Sequence, residues 1–418
     1  MLTALVPLAA ENWPGWRGTN GDGIAAGAGA PLRWSKTENV KWRTALPEAG
    51  NSTPVVWSDS VFVTQAKKAA GERLLLCFDR ATGKQKWQAV VAYSADEPTH
   101  PTNPYASASP ATDGERVIAW FGSAGLHAFN AKTGATLWKR DLGIQKHTWG
   151  YASSPIIYRD WVFLNFGPGE RAFLIALEKK TGKTVWQVNV PPGSGVKHYQ
   201  WSADDMYGSW TTPVIANVAG RDELIVTHPR KLVAYEPATG KAIWSSEGLT
   251  DLVYPSPVVA VTDKGDQVVL AASGFGGSAM AVKTGGSGDV TGTHRLWHWE
   301  KTKGFIGTAV VDRGHLYWID MQGVVECVRL SDGQVAWTAR LPITGDDAGV
   351  WSSPVLAGAN IYVMNKSGNT LIFRSDPRAF ELAGTNSLDE QSNASVVVVE
   401  DEIFLRTFNA LWCISARR

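Results

Sequence analysis

The chain has 418 residues, and 40 Lys and Arg against 39 Asp and Glu leave a formal net charge of +1. With only 19% charged residues and no basic excess, it carries no electrostatic footprint for nucleic acid or an acidic membrane surface. No apolar run approaches the roughly 18 residues of a membrane-spanning helix, and the 20 Trp outnumber both the 10 Tyr and the 13 Phe.

The first ten residues, Met1 to Ala10, are apolar and end in small residues before Glu11, which reads as the tail of a secretory signal peptide cut after Ala10. The chain is therefore expected to be exported to the periplasm. The first cysteine is Cys77, so a lipid anchor at the mature N-terminus is not expected. Residues 11–30 read as a tail that packs by Trp13 and Trp16, and residues 31–418 as one repeat domain. Asn39 to Leu46 alternates like a strand and places Trp42 where later units carry their Trp, but no other strand of its unit precedes it.

From Ser52 the chain cycles. Each unit opens on small residues and a Pro (Ser52-Thr-Pro54, Ala108-Ser-Pro110, Ser153-Ser-Pro155, Thr211-Thr-Pro213, Pro255-Ser-Pro257, Ser352-Ser-Pro354), followed by a Val/Ile run. Proline has no N–H to give a ladder, so these runs are edge strands, the innermost of each unit. Two more strands follow, then an acidic or polar residue, a Gly turn and a strand with Trp. Asp79 to Trp87, Asn130 to Trp138, Glu178 to Trp186 and Glu236 to Trp244 all show this, and Leu330 to Trp337 is a fifth copy with Ser-Asp-Gly at its turn. The period is about 40–50 residues, that of a propeller blade. The fifth unit has a long glycine-rich loop, Gly285 to Gly292, before Trp297, and the seventh offers Phe380 where Trp is expected. Three terminal strands, Ala394 to Val399, Ile403 to Thr407 and Leu411 to Ser415, complete a blade with the N-terminal strand. The expected fold is all-β, an eight-bladed propeller of four-stranded antiparallel blades closed by joining its termini.

Internal alignment places Cys77, Cys327 and Cys413 where other units have Ala128, Ala176 and Ala234, so they read as buried core residues. None of the eight His has metal-ligand spacing, and no metal site is expected. His100, His147 and His198 fall in connections between blades, on one face of the disc, with Asp204-Asp205 and Asp346-Asp347. Three residues before each opening Pro stand Asn51, Ser107, Ala152, Trp210, Tyr254 and Trp351, a position that rings the channel mouth. Aromatic surface beside polar groups at a concave mouth suits binding. The candidate contact residues are Tyr105, His147, Trp149, Trp210, Tyr254, Asp346 and Trp351. No nucleophile elbow is present, and no catalytic residue is assigned.

The Asp/Glu-x-x-Thr-Gly-Lys-x-x-Trp units resemble the tryptophan-docking repeats of PQQ-type eight-bladed propellers, a superfamily holding quinoprotein alcohol dehydrogenases and the outer-membrane assembly factor BamB. Trp13-Pro-Gly-Trp-Arg-Gly18, Asn39-Val-Lys-Trp42 and Ser52-Thr-Pro-Val-Val56 are similar to exported propellers of planctomycete-type bacteria. The resemblance implies that Trp42, Trp87, Trp138, Trp186, Trp244, Trp297 and Trp337 dock neighbouring blades. The dehydrogenases' vicinal Cys-Cys and haem-binding Cys-x-x-Cys-His are both missing, and so is the N-terminal Cys of BamB-type lipoproteins. The expected function is that of a monomeric, non-catalytic scaffold for a protein or polymer partner in the cell envelope, with no cofactor. The alternative is a quinoprotein-like oxidoreductase holding PQQ and calcium and acting on alcohols or sugars.

Overall fold

A computed structural model describes residues 11–27, 29–169, 171–190, 207–345 and 349–416. The signal-peptide reading at residues 1–10 lies outside them. The chain forms eight antiparallel blades around a channel. Blade one runs from the channel outward as Val55–Trp57, Ser60–Lys67, Glu72–Asp79 and Gln85–Ala92. Blades two to seven occupy residues 111–140, 156–189, 214–247, 258–299, 310–340 and 355–387. Blade eight is Val397–Val399, Glu402–Arg406 and Ala410–Ser415, with Val40–Ala45 as its outermost strand. Among the described residues no helix is long and apolar enough to cross a membrane.

The repeat motif makes both a turn and a joint. Asp79 Oδ1 accepts from the Thr82 N–H at 2.9 Å and the Thr82 hydroxyl at 2.7 Å, which closes the turn from inside. Gly83 then takes φ +69°, and a Cβ there would stand 2.5 Å from the Trp42 ring of the preceding blade. Gly134 meets Trp87 in the same way at 2.6 Å. The indole N–H of each docking Trp reaches a carbonyl in the next blade's turn: Trp42 to Arg80, Trp87 to Ala131, Trp138 to Lys179, Trp186 to Pro237, Trp297 to Leu330 and Trp337 to Asp376, at 2.8–3.2 Å.

Room for each indole is made on the adjoining strand. Cys77, Ala128, Ala176, Ala234, Ala281, Cys327 and Cys413 stand directly opposite the Trp of their blade. All three cysteines are free and fully buried.

Two units depart from the pattern. In blade four, Trp244 donates to Glu223 Oε2 of its own blade at 2.7 Å, because the blade-five loop adds Gly288–Asp289 as a fifth strand beside Trp244 and Ser245. In blade seven the position opposite Ile372 is Gly384 and not Phe380, so the assignment of Phe380 is corrected. Phe380 precedes the outer strand and packs edge-on against Trp337, 5.8 Å between ring centroids. The sizes are exchanged here: a large Ile faces a Gly, and the N-terminal segment crosses the space above it. A Cβ on Gly384 would lie 2.8 Å from the Leu32 carbonyl, the Asn386 side chain pins Leu32 and Trp34, and Trp34 is buried among blades seven, eight and one.

Candidate functional site at the channel mouth

The small-residue opening of each inner strand builds the channel wall. The residue just before the Pro position is Thr53, Ser109, Ser154, Thr212, Ser256, Thr308, Ser353 or Ser395, one per blade. The backbone N–H of each donates to the hydroxyl of the next: Thr53 to Ser109, Ser109 to Ser154, Ser154 to Thr212, Thr212 to Ser256, Ser256 to Thr308, Thr308 to Ser353 and Ser353 to Ser395, at 2.8–3.0 Å. Ser395 closes the circle onto Thr53 at 3.4 Å, the longest of the eight, at the seam between the chain's ends. A short hydroxyl side chain recurs here because it can reach and accept the preceding blade's N–H.

The tail seals the far side. Trp13 exchanges two backbone hydrogen bonds with Val56, the Pro14 carbonyl accepts from Thr112, and Gly23 accepts from Leu356. Arg17, 1% exposed, donates to the carbonyls of Ala309, Pro354 and Asp22. Residues 13–25 thus span the inner strands of blades one, two, six and seven, and Trp16 rises into the channel as a floor.

Above it is a cup of about 340 Å³, a size typical of small-ligand sites. The residue two positions before the hydroxyl ring lines it in every blade: Asn51, Ser107, Ala152, Trp210, Tyr254, Ile306, Trp351 and Asn393. One side is aromatic. Gly208–Ser209 pairs with Leu252–Val253, which sets Trp210 and Tyr254 side by side with centroids 4.9 Å apart. Trp149 lies 6.0 Å from Trp210, and Phe275, half-exposed at the lip, 5.7 Å from Trp149. The other side is amide and hydroxyl: Asn51 and Asn393 both donate to the Thr102 carbonyl, at 2.8 and 3.0 Å, and Asn103 to the Trp149 carbonyl at 2.6 Å.

The described lining contains no Asp, Glu, Lys or Arg. Burial pushes the Tyr254 phenol well above its ordinary value, so it stays a neutral donor. The buried oxygens Asn51 Oδ1, Asn393 Oδ1 and Tyr254 Oη have no hydrogen-bond partner. Among the described residues no three His, Cys, Asp or Glu come together as a metal-binding group.

Trp149, Trp210, Tyr254 and Trp351, expected from the sequence, line this cup. Trp210 is largely buried and braces it, its indole N–H donating to the Gly150 carbonyl at 3.0 Å. His147 sits behind the wall, its ring 5.0 Å from that of Trp210. Tyr105 does not line the cup: it is buried against the Arg73 guanidinium, 4.1 Å from its ring, beside the Arg73–Glu97 ion pair. Asp346, and His198 with Asp204 and Asp205, lie outside the described residues. Ile306 and Asn393 escape a search for Pro because blades six and eight carry Ala309 and Val396 there, whereas Thr308 and Ser395 mark the position.

The fold and its mouth define a tryptophan-docked, eight-bladed propeller with a blind cup on its axis. Residues 24–165 and 170–418 match the family model described as outer membrane protein assembly factor BamB. The chain belongs to that family. It is 23% identical over 260 residues to the outer membrane protein assembly factor BamB of Shewanella oneidensis, covering 61% of this chain and 58% of that protein. It is 20% identical to the Yersinia pestis protein of the same name over 86% of this chain and 83% of that one. Among solved structures it is similar to the quinohemoprotein alcohol dehydrogenase of Comamonas testosteroni, with a TM-score of 0.70 at 12% identity over 98% of this chain and 81% of that one. BamB of Moraxella catarrhalis gives a TM-score of 0.60 at 14% identity over 90% of this chain and 99% of that one. At these identities the structural likeness concerns the fold alone.

Proposed function

We propose that the chain is an exported, non-catalytic binding propeller that holds a protein or polymer partner of the cell envelope at its channel mouth. The observation that carries this reading is the convergence of one residue from each of eight blades on a single closed cup. A rigid ring that presents variable residues at one repeated position is a scaffold for recognition. The relatives' name, outer membrane protein assembly factor, supports a place in the envelope.

The quinone alternative has less support. PQQ is a polycarboxylate held with a divalent cation, and the described lining offers no Lys or Arg for the one, only the His100 imidazole, and no carboxylate for the other. The described donor set does not suit that group.

The test compares the protein with a Trp149→Ala/Trp351→Ala variant as baits for a native envelope fraction. Both rings are only part-buried, so the fold survives, which circular dichroism checks. A partner held by the wild type and lost by the variant supports the reading; equal capture moves the site elsewhere. Dye-linked alcohol or sugar oxidation after adding PQQ and calcium would overturn the non-catalytic assignment.

A further inference from the structure

We infer that the group seated in the cup is a neutral saccharide, the end or a side branch of a glycan, stacked on the Trp149 and Tyr254 side and hydrogen-bonded by Asn51, Asn393 and the hydroxyl ring. This rests on the channel mouth being the binding site and names what enters it.

The two asparagines fix the polarity of one wall. Both amide nitrogens face the Thr102 carbonyl, which can only accept, so neither side chain can be flipped without setting oxygen against oxygen. Their Oδ1 atoms, on adjacent blades, are buried without a partner, a pair of acceptors that lack donors. The hydroxyl ring has the opposite need. Each hydroxyl of the ring accepts from its neighbour's N–H, and none of these hydroxyls has an acceptor for its own proton among the described hydrogen bonds. A ligand must therefore both donate and accept at several points. It must also present an apolar face to the indole and phenol rings that line that wall. A pyranose does both, with hydroxyls around its edge and C–H bonds on its faces.

Charge and shape exclude the competitors. A carboxylate- or phosphate-rich anion calls for Lys or Arg and an ammonium group for a carboxylate; the described lining has none of these, and its one imidazole, His100, is engaged with the Thr102 hydroxyl at 2.7 Å. Trp16 lies across the base of the cup, a shape that suits a terminus or a branch better than a chain running through. A free protein terminus is charged, whereas the end of a neutral glycan is not.

The test titrates the full chain with neutral trisaccharides of glucose (α-1,4 and β-1,4), xylose and N-acetylglucosamine, following Trp fluorescence and saturation-transfer NMR. Choline is included as a cationic probe. At least one trisaccharide is expected to bind saturably, and Tyr254→Phe, which keeps the ring, to weaken it by about tenfold. Asn51→Ala/Asn393→Ala is expected to abolish it. No binding by any of the four sugars, or tighter binding of choline, overturns the saccharide assignment. If no sugar binds but the Trp149→Ala/Trp351→Ala variant still loses an envelope partner, the binding propeller stands and only the saccharide falls. If neither occurs, both fall.

Discussion

The indole N–H of Trp42 donates to the carbonyl of Arg80 at 2.8 Å, and by that bond the first regular strand of the chain, closing the last blade, is fastened to blade one. Arg80 also reaches back to Glu402 at 2.6 Å and Glu400 at 3.0 Å, so the seam is bonded from both sides. Trp42→Ala should cost about 3–5 kcal/mol, as for other buried aromatics, measured by denaturant unfolding. Deleting residues 31–46 should go further and bare the outer edge of Ala410–Ser415, giving oligomers by light scattering. A truncated chain that stays monodisperse with its melting temperature intact would refute this closure.

Restoring the repeat residue in blade seven should harm the protein. Gly384 occupies the Trp position, but the Leu32 carbonyl lies across it. Gly384→Trp should displace the 32–34 segment and lower stability by about 1–3 kcal/mol, the usual range for overpacking. Faster proteolysis between Pro31 and Asn39 would report the displacement; unchanged cleavage and stability would show that the segment has another anchor.

The acid limb of stability should carry the signature of one histidine. Burial lowers His228 from its ordinary 6.5 to about 4, with Nε2 on the Tyr235 hydroxyl at 3.0 Å. As pH falls below 6.5 the unfolded chain takes up a proton that the folded chain refuses until about pH 4. Stability is therefore lost across that window, on the order of 3 kcal/mol in total. His228→Gln should flatten the decline by about one proton, read from unfolding free energies between pH 7 and 4. An unaltered slope would place the titration elsewhere.

The cysteines should be inert. Desolvation pushes the Cys77 thiol up to about 12 and that of Cys327 to about 11, against an ordinary 9.0. Thiol reagents at neutral pH should react slowly until denaturant is added. These groups' share of stability is complete below pH 9 and is lost as pH rises toward 11–12, because the unfolded chain ionises first. An intramolecular disulfide found by mass spectrometry would contradict their separation into three blades.

What was legible in the sequence is what repeats in a visible residue. Trp and Pro recur at fixed places, so blade count, strand order and most of the mouth could be read from them. Phe380 was misplaced because blade seven has no Thr-Gly turn to set the register, and the residue at the docking position is Gly, which leaves no hydrophobic signal. Ile306 and Asn393 were hidden by the lack of a Pro in their units. The role of Trp16 was hidden for another reason: it is placed by a tail that crosses four blades, and no local pattern encodes contacts between that tail and strands hundreds of residues away.

The circle of serine and threonine hydroxyls gives the propeller a sense of rotation as well as a hoop. Every unit hands a proton bond to the following one and receives one from the preceding unit, so a unit removed anywhere leaves a giver and a taker facing across a gap too wide to bridge. The copy number of the repeat is thereby written at the axis, where units are closest, as well as in the glycine turns that clamp each docking indole. A gene that lost one internal unit would encode an arc in place of a smaller ring, and lineages carrying this chain should gain or lose blades only when the axial spacing is rebuilt in all of them.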